Sequence, residues 1–188
     1  MIRSSTIEIS RAKNGREVIV KIAEEKDLKD IFKIIRERRK ERAEREREPK
    51  IQELTAEEKA WWAVSITNSD PDTRTLLVQL NQNIVGQLTI GRHKSVTDNT
   101  VVVLSLDVIR TYRSNGLARM LMNCALSEAK DSLNAELVEL WAIVQNTHAV
   151  NLYRSVGFQQ TGEILRSKDK TWCGQPADRI HMIKHLQG

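Results

Sequence analysis

Cysteine is scarce. A chain of 188 residues holds only Cys124 and Cys173, without metal-ligand spacing and without enough partners for a disulfide framework. This excludes a stapled secreted scaffold and makes a reducing, cytoplasmic setting the default expectation. Long apolar runs are missing too. None reaches the roughly 18 residues that a membrane-spanning helix needs, so no membrane partner is expected. The start, Met1-Ile2-Arg3-Ser4-Ser5-Thr6, lacks the basic-then-apolar layout of a secretory signal. Internal repeats are absent, and the one biased tract is a charge run.

What is present suits a folded domain. Apolar residues make up 40% and charged residues 29%, enough to bury a sizeable core. The length fits one domain, or one domain with a short extension. The reading is an N-terminal extension over 1–16 and a single domain over 17–188. The net charge is +5, and residues 1–54 carry most of it, with sixteen basic against twelve acidic residues. A basic excess attracts nucleic acid or any other polyanion, a phosphorylated cofactor included, so charge alone selects no partner.

Hydrophobic periodicity supplies the elements. A strand is expected at 17–23. Leu28, Ile31, Phe32 and Ile35 recur at helical spacing, and that helix can run on through 36–48 to Pro49. Thr55-Ala56-Glu57-Glu58 has capping-box spacing and opens a second helix past Trp61, Trp62 and Ile66, ended at Asp70-Pro71. Strands follow at 74–80 and 84–92, joined by Asn81-Gln82-Asn83. The Val- and Leu-rich stretch 100–109 reads as a buried central strand. A helix at 115–131, a strand at 136–144, a short helix at 146–155 closed by Gly157, and strands at 158–165 and 179–186 complete the chain. The alternation of strand and helix in the centre implies a parallel crossover, and the flanks imply hairpins. The fold class is therefore α/β, a mixed, mostly antiparallel sheet of six to seven strands with a central parallel pair and helices on both faces.

The stretch that carries chemistry begins where the central strand ends. Arg113-Ser114-Asn115-Gly116-Leu117-Ala118 forms a tight turn that opens a helix. Small residues at 114, 116 and 118 let an anion approach the backbone. The free N–H groups of the first helical turn and the helix dipole then favour its negative charge. This is the physics of a pyrophosphate site, to which Arg113 could add a charge-assisted contact. About thirty residues on, the segment 140–158 follows a strand with Asn146, Ala149, Leu152, Tyr153, Gly157 and Phe158.

Together the two segments resemble the GCN5-related N-acetyltransferase (GNAT) superfamily. The turn resembles its Arg/Gln-x-x-Gly-x-Gly/Ala acetyl-CoA motif. The later segment resembles its Asn-x-x-Ala-x-x-Leu-Tyr-x-x-x-Gly-Phe motif. The resemblance is strongest over 101–158, and the order of elements extends it over 17–186.

The resemblance implies acetyl-CoA as cofactor and acetyl transfer to an amine. Its central strands would splay, with pantetheine bonded to the backbone of Leu106 and Val108. Residues 113–118 would hold the diphosphate, Asn146 and Asn151 would approach the cofactor, and Tyr153 would be the general acid for the leaving thiolate. A phenol, with its pKa near 10, stays protonated at neutral pH and suits that role. Other readings stand beside these. Asn146 can be a helix cap alone, Asn151 can face solvent and Tyr153 can be a packing residue.

The general base is less clearly marked. Strand alternation puts Leu104 and Leu106 on the face of Val108, and none of these is acidic. Asp107, on the opposite face, and Glu139 are the candidates, while Trp141 stands where some relatives carry glutamate. His148 reads as a surface residue and Cys124 as a core residue.

The run 36–50 has eight basic and five acidic residues and reads as a solvated helix with i,i+4 pairs Lys40/Glu44 and Glu41/Arg45, or else as a docking or substrate-shaping surface. Trp61 and Trp62 cannot share one side of their helix, so one is expected in the core. The polar connection 167–178, with Trp172 and Cys173, is a candidate lid or dimer contact.

The expectation is an N-acetyltransferase acting by direct attack in a ternary complex. The acceptor would be a primary amine of a small molecule or protein. The alternative is a noncatalytic acyl-CoA-sensing or RNA/ribosome-associated module. Nucleic acid is not the expected partner, and a homodimer is left open.

Overall fold

The protein is described by a computed structural model covering residues 6–12, 15–48, 50–66, 71–92, 100–168 and 171–186. Its elements run β1 (Thr6–Arg11), β2 (Glu17–Ile22), α1 (Leu28–Glu46), α2 (Ala56–Ile66), β3 (Thr73–Leu80), β4 (Asn83–Arg92), β5 (Val101–Val108), α3 (Leu117–Asp131), β6 (Leu137–Ile143), α4 (Thr147–Ser155), β7 (Gln159–Leu165), β8 (Thr171–Trp172), β9 (Gln175–Pro176) and β10 (Arg179–His185). Short 3₁₀ turns at Glu25–Asp27 and Arg110–Tyr112 lead into α1 and into the loop before α3.

Eight strands form one sheet in the order β1-β2-β3-β4-β5-β6-β10-β7, and β8-β9 is a separate hairpin. Neighbours are antiparallel except β5 and β6, which are parallel. The mixed α/β class agrees with the sequence reading, and the strand count exceeds the six to seven expected. The extra edge strand is β1, which lies inside the segment expected as an extension and pairs with β2 from Thr6↔Lys21 to Arg11↔Glu17. Hairpin β8–β9 occupies the polar connection 167–178, the candidate lid or dimer contact.

Helices cover both faces. Val102, Val138, Leu140 and Met182 pack under Leu117, Leu121 and Met122 of α3 and Val150 of α4. On the other face, Leu77 and Ile84 pack under Ile31, Ile34 and Ile35 of α1 and Ile66 of α2. Each such fully buried aliphatic side chain contributes on the order of 2 kcal/mol of transfer free energy.

Local chemistry explains the ends. Glu24 and Asp27 form a reciprocal capping box, and α1 stops at Arg47, whose φ of 56° is left-handed. Asn81 and Gln82, at φ of 48° and 67°, give the β3–β4 hairpin the twist of a two-residue turn. Thr55 Oγ1 accepts from the Glu58 N–H, and the Glu58 carboxylate accepts from the Thr55 N–H, which closes the box that starts α2. Pro49 and Asp70, expected to end α1 and α2, lie outside the described residues.

Candidate active site at the strand splay

β5 and β6 pair only over Val101↔Leu137, Val102↔Val138 and Val103↔Glu139, then separate. The pairing of β5 with β4 fixes which backbone groups the gap exposes. Ile109 donates to Val85 across the ladder at 2.9 Å, and the register is unbroken back to Val102. Antiparallel pairs alternate, so Ser105 and Asp107 spend their backbone groups on β4. The N–H and C=O of Leu106 and Val108 therefore face the gap. The Val108 carbonyl accepts from Arg113 Nε at 2.9 Å, and its N–H points into the opening.

The loop that follows has the geometry of an anion cradle. Ser114 and Gly116 have φ of 66° and 84°, and Gly116 is the N-cap of α3 without a side-chain cap bond. A Cβ built on Gly116 would meet nothing within 4 Å, so the space above the turn is open. The Gly116 carbonyl takes the N–H groups of Arg119 and Met120, whereas Leu117 and Ala118, in the first turn, have no intrahelical acceptor. Donors, dipole and open space suit a diphosphate. Arg113 heads this turn, but its guanidinium is directed away from it, to the Val108 carbonyl and to Glu41 of α1 at 2.8 Å.

Across the gap, α4 carries the remaining predicted residues. Asn146 is the N-cap, its side chain accepting from the Ala149 N–H at 3.3 Å. Asn151 and His148 are exposed. The half-buried Tyr153 packs its ring 6.0 Å from that of Phe158. Burial, and then the charge of Asp107, push its phenol up to about 12, so it remains a proton donor throughout the neutral range.

The two carboxylates read as base candidates have different surroundings. Asp107 projects from β5 onto the α1 side, where Arg38 donates to it at 3.2 Å. Burial raises its pKa. Arg38, a hydrogen bond from Gln87 and the charge of Arg113 oppose that shift, and Glu41 adds to it. Glu139 lies at the closed end of the gap and is bonded to His181 Nε2 at 3.2 Å, while His181 stacks on Trp141 with ring centroids 4.7 Å apart. The charge of Asp107 reaches the Tyr153 phenol at the open end of the splay.

The charge run is less solvated than expected. Glu41 pairs with Arg113 and Arg45 with Glu46, so the expected Glu41/Arg45 pair does not form. The buried Glu46 carboxylate accepts from Thr171 Oγ1 at 2.6 Å, Cys173 N–H at 3.1 Å and Gly174 N–H at 3.4 Å. These bonds, Thr171 first, together with Arg45, hold its pKa down at about 2. The Arg45 guanidinium lies 3.8 Å above the Trp172 ring. Thus α1 fastens the β8–β9 hairpin. Trp62 packs against the α1-side core and Trp61 is half exposed. Cys124 is buried and donates to Glu8.

Arg38, Glu41, Gln87, His181 and Glu46 were not read as site residues from sequence. One signal existed for the first two. They continue, at steps of four and three, the stripe of Ile31 and Ile34 that faces the sheet, and a charge on that stripe marks a lined cleft.

Known proteins agree with this architecture. An acetyltransferase of the GNAT family from Streptococcus pneumoniae superposes with a TM-score of 0.74 at 23% identity, over 90% of this chain and 99% of that one. The yncA structure from Salmonella typhimurium, solved with its cofactor acetyl-CoA, gives 0.75 at 19% identity over 90% and 94%. An N-alpha-acetyltransferase from Sulfurisphaera tokodaii is 36% identical over 64 residues, which span 34% of this chain and 38% of that relative's length. Residues 28–158, from the start of α1 through the splay and both predicted motifs, match the Acetyltransferase (GNAT) family, whose acyl donor is acetyl-CoA, and the chain belongs to that family.

Proposed function

We propose that this protein is an N-acetyltransferase that moves an acetyl group from acetyl-CoA to a primary amine by direct attack. The observation that carries the reading is the open splay. Backbone groups of Leu106 and Val108 face it from one side, Tyr153 stands on the other, and the 114–118 turn sits at its end. Bound there, acetyl-CoA supplies the activated thioester.

The chain's own groups then have separable tasks. The 114–118 backbone holds the diphosphate, with Asn146 and Asn151 on the adjoining helix close to the cofactor. Leu106 and Val108 bond pantetheine as a neighbouring strand would. The Val108 N–H stabilises negative charge on a carbonyl oxygen placed in the gap. Asp107, with its raised pKa, takes the proton of the incoming ammonium directly or through water, leaving the amine neutral. Tyr153 would give its proton to the departing thiolate as the C–S bond breaks, and would regain one from the newly bonded nitrogen, which sheds its second proton on becoming an amide. Neither cysteine is placed as an acyl carrier, because Cys124 is buried away from the splay and Cys173 is on the hairpin. The similarity to an N-alpha-acetyltransferase makes a protein N-terminus one acceptor to include among small amines.

Mass-resolved acetylation of an amine and peptide panel tests the reading. Tyr153→Phe should lower kcat by about 10²-fold or more, the size of lost general-acid assistance, while calorimetry shows acetyl-CoA affinity retained. The acid limb of the kcat/KM profile should lie above the ordinary carboxylate range, because activity appears as pH rises through the raised Asp107 pKa. Absence of turnover on every amine, with salt-sensitive RNA binding, would overturn it in favour of a noncatalytic module.

A further inference from the structure

We propose that Arg113 is a positioning residue. Its guanidinium, held between the Val108 carbonyl and Glu41 of α1, ties the donor half of the site to the acceptor half and sets Asp107 against the splay. The proposal rests on the reading of the splay as an acetyl-transfer site, and goes beyond it by assigning the side chain that heads the phosphate turn to the acceptor side.

The geometry is direct. Arg113 lies where β5 has ended and the diphosphate turn begins. A side chain there that served the phosphates would point along the turn toward the N-terminus of α3. Instead Nε donates back to Val108 O at 2.9 Å, and one terminal nitrogen bonds both oxygens of Glu41, at 3.1 and 2.8 Å. Those two partners are 67 residues apart in sequence. One belongs to the strand whose next N–H-bearing edge lines the gap, and the other to the helix that roofs the opposite face of the sheet. The planar fork of arginine reaches both at once, which the single ammonium of lysine does not.

The consequence for Asp107 follows from charge order. Asp107 is faced by Arg38 and Glu41 of α1, by the neutral Gln87 of β4, by Arg113 and by the Tyr153 phenol of α4. Charges alternate through Asp107, Arg38, Glu41 and Arg113, with Arg38–Asp107 at 3.2 Å and Arg113–Glu41 at 2.8 Å. Removing Arg113 frees Glu41 to act on Asp107 and Arg38 unopposed. Removing the charge of Glu41 does the reverse to Asp107, yet breaks the same clasp. The two substitutions therefore move Asp107 in opposite directions while impairing the acceptor half alike. A purely structural brace would not give that pattern.

The test uses the full chain in three variants, Arg113→Gln, Arg113→Lys and Glu41→Gln, with three readouts. The Asp107 carboxyl titration is followed by carbon NMR in the absence of ligand. Arg113→Gln should raise its midpoint and Glu41→Gln should lower it. Arg113→Lys should leave the midpoint near wild type. Acetyl-CoA affinity by calorimetry should stay within about twofold in all three, as for side chains that do not touch the ligand. With the best amine, kcat/KM should fall about tenfold or more in all three, the loss of one charge-assisted hydrogen bond in a reacting geometry.

An Asp107 midpoint that is the same in every variant overturns the proposal. So does an acetyl-CoA affinity that drops steeply in Arg113→Gln, which would make Arg113 a phosphate ligand. If wild type acetylates nothing, the functional reading fails, and the NMR titration still decides whether Arg113 governs Asp107.

Discussion

Gly86 is the position where the sheet tolerates least. It sits in β4 directly opposite Val108. A Cβ there would stand 2.9 Å from Val78 Cγ1, 3.0 Å from Val108 Cγ2 and 3.0 Å from the Asp107 carbonyl oxygen. Carbon pairs settle near 3.5–4.0 Å, so the two contacts with valine carbons are short by about half an ångström or more. None of the three neighbours can swing aside. Val78 and Val108 are buried β-branched side chains with one torsion each, and the carbonyl belongs to the ladder. Overpacking of this kind costs about 1–3 kcal/mol. Against it stands about 0.4–1 kcal/mol gained because alanine restricts the unfolded chain. Gly86→Ala should thus lose about 1–2 kcal/mol, and a domain of this size loses roughly 2–4 °C of Tm per kcal/mol. Thermal unfolding followed by circular dichroism should show a Tm lower by roughly 2–8 °C. Because relief comes by pushing Val108 toward the gap, calorimetry should also show weaker acetyl-CoA binding. An unchanged or higher Tm would mean that the space opposite Val108 is not filled as described, and the argument for a rigid β5 edge would go with it.

Three further outcomes are expected. Glu46→Ala removes the acceptor of three hydrogen bonds to the hairpin. Since the partners are exposed, the cost is about 1–2 kcal/mol, and hydrogen exchange at 173–174 should quicken by roughly tenfold or more while the global Tm barely moves. In wild type this anchor is fully present above the unfolded carboxyl pKa, about 4.3, and is lost as pH falls through the folded value near 2, so the protection it gives these amides should be complete at about pH 5 and disappear only as pH approaches 2. Lys21 donates to both oxygens of the buried Asp27 at 2.7 and 2.8 Å; Lys21→Met should cost about 3–5 kcal/mol in chemical denaturation, and the double variant with Asp27→Asn should recover part of it. Burial, followed by the Glu8 contact, pushes the Cys124 thiol up to about 12, so an aromatic disulfide reagent at pH 8 should label Cys173 alone in the native protein and both thiols after denaturation.

Much of this architecture was legible because it is local. The helices at 28–46 and 117–131, the turn at Ser114 and Gly116, the Asn146 cap and Tyr153 are each written within a dozen residues. What escaped depends on contacts between distant segments. Nothing near Thr6–Arg11 says that it completes a sheet edge against β2. The two-residue strands of the hairpin are too short for any periodicity, and they are held because Glu46, 125 residues earlier than Thr171, accepts from the Thr171 hydroxyl and from the amides of the turn between the strands. The place of Arg113 in the turn is visible in the sequence, whereas its partner Glu41, 72 residues away, is not. The charge run looked solvated because composition does not show which stripe faces the sheet. The step from Ile31 and Ile34 to Arg38 and Glu41 does show it.

The parting of β5 from β6 has a bearing on solubility. An unpaired strand margin on the outside of a protein invites other chains to add to it. Here the reactive margin is enclosed in the middle of the sheet, with β6 and α4 across the opening and α1 overhead. A slender ligand can slide into such a slot, whereas a folded neighbour is too broad to enter. The molecule can keep a permanently unfinished ladder for its ligand and still present no sticky border there to its own copies.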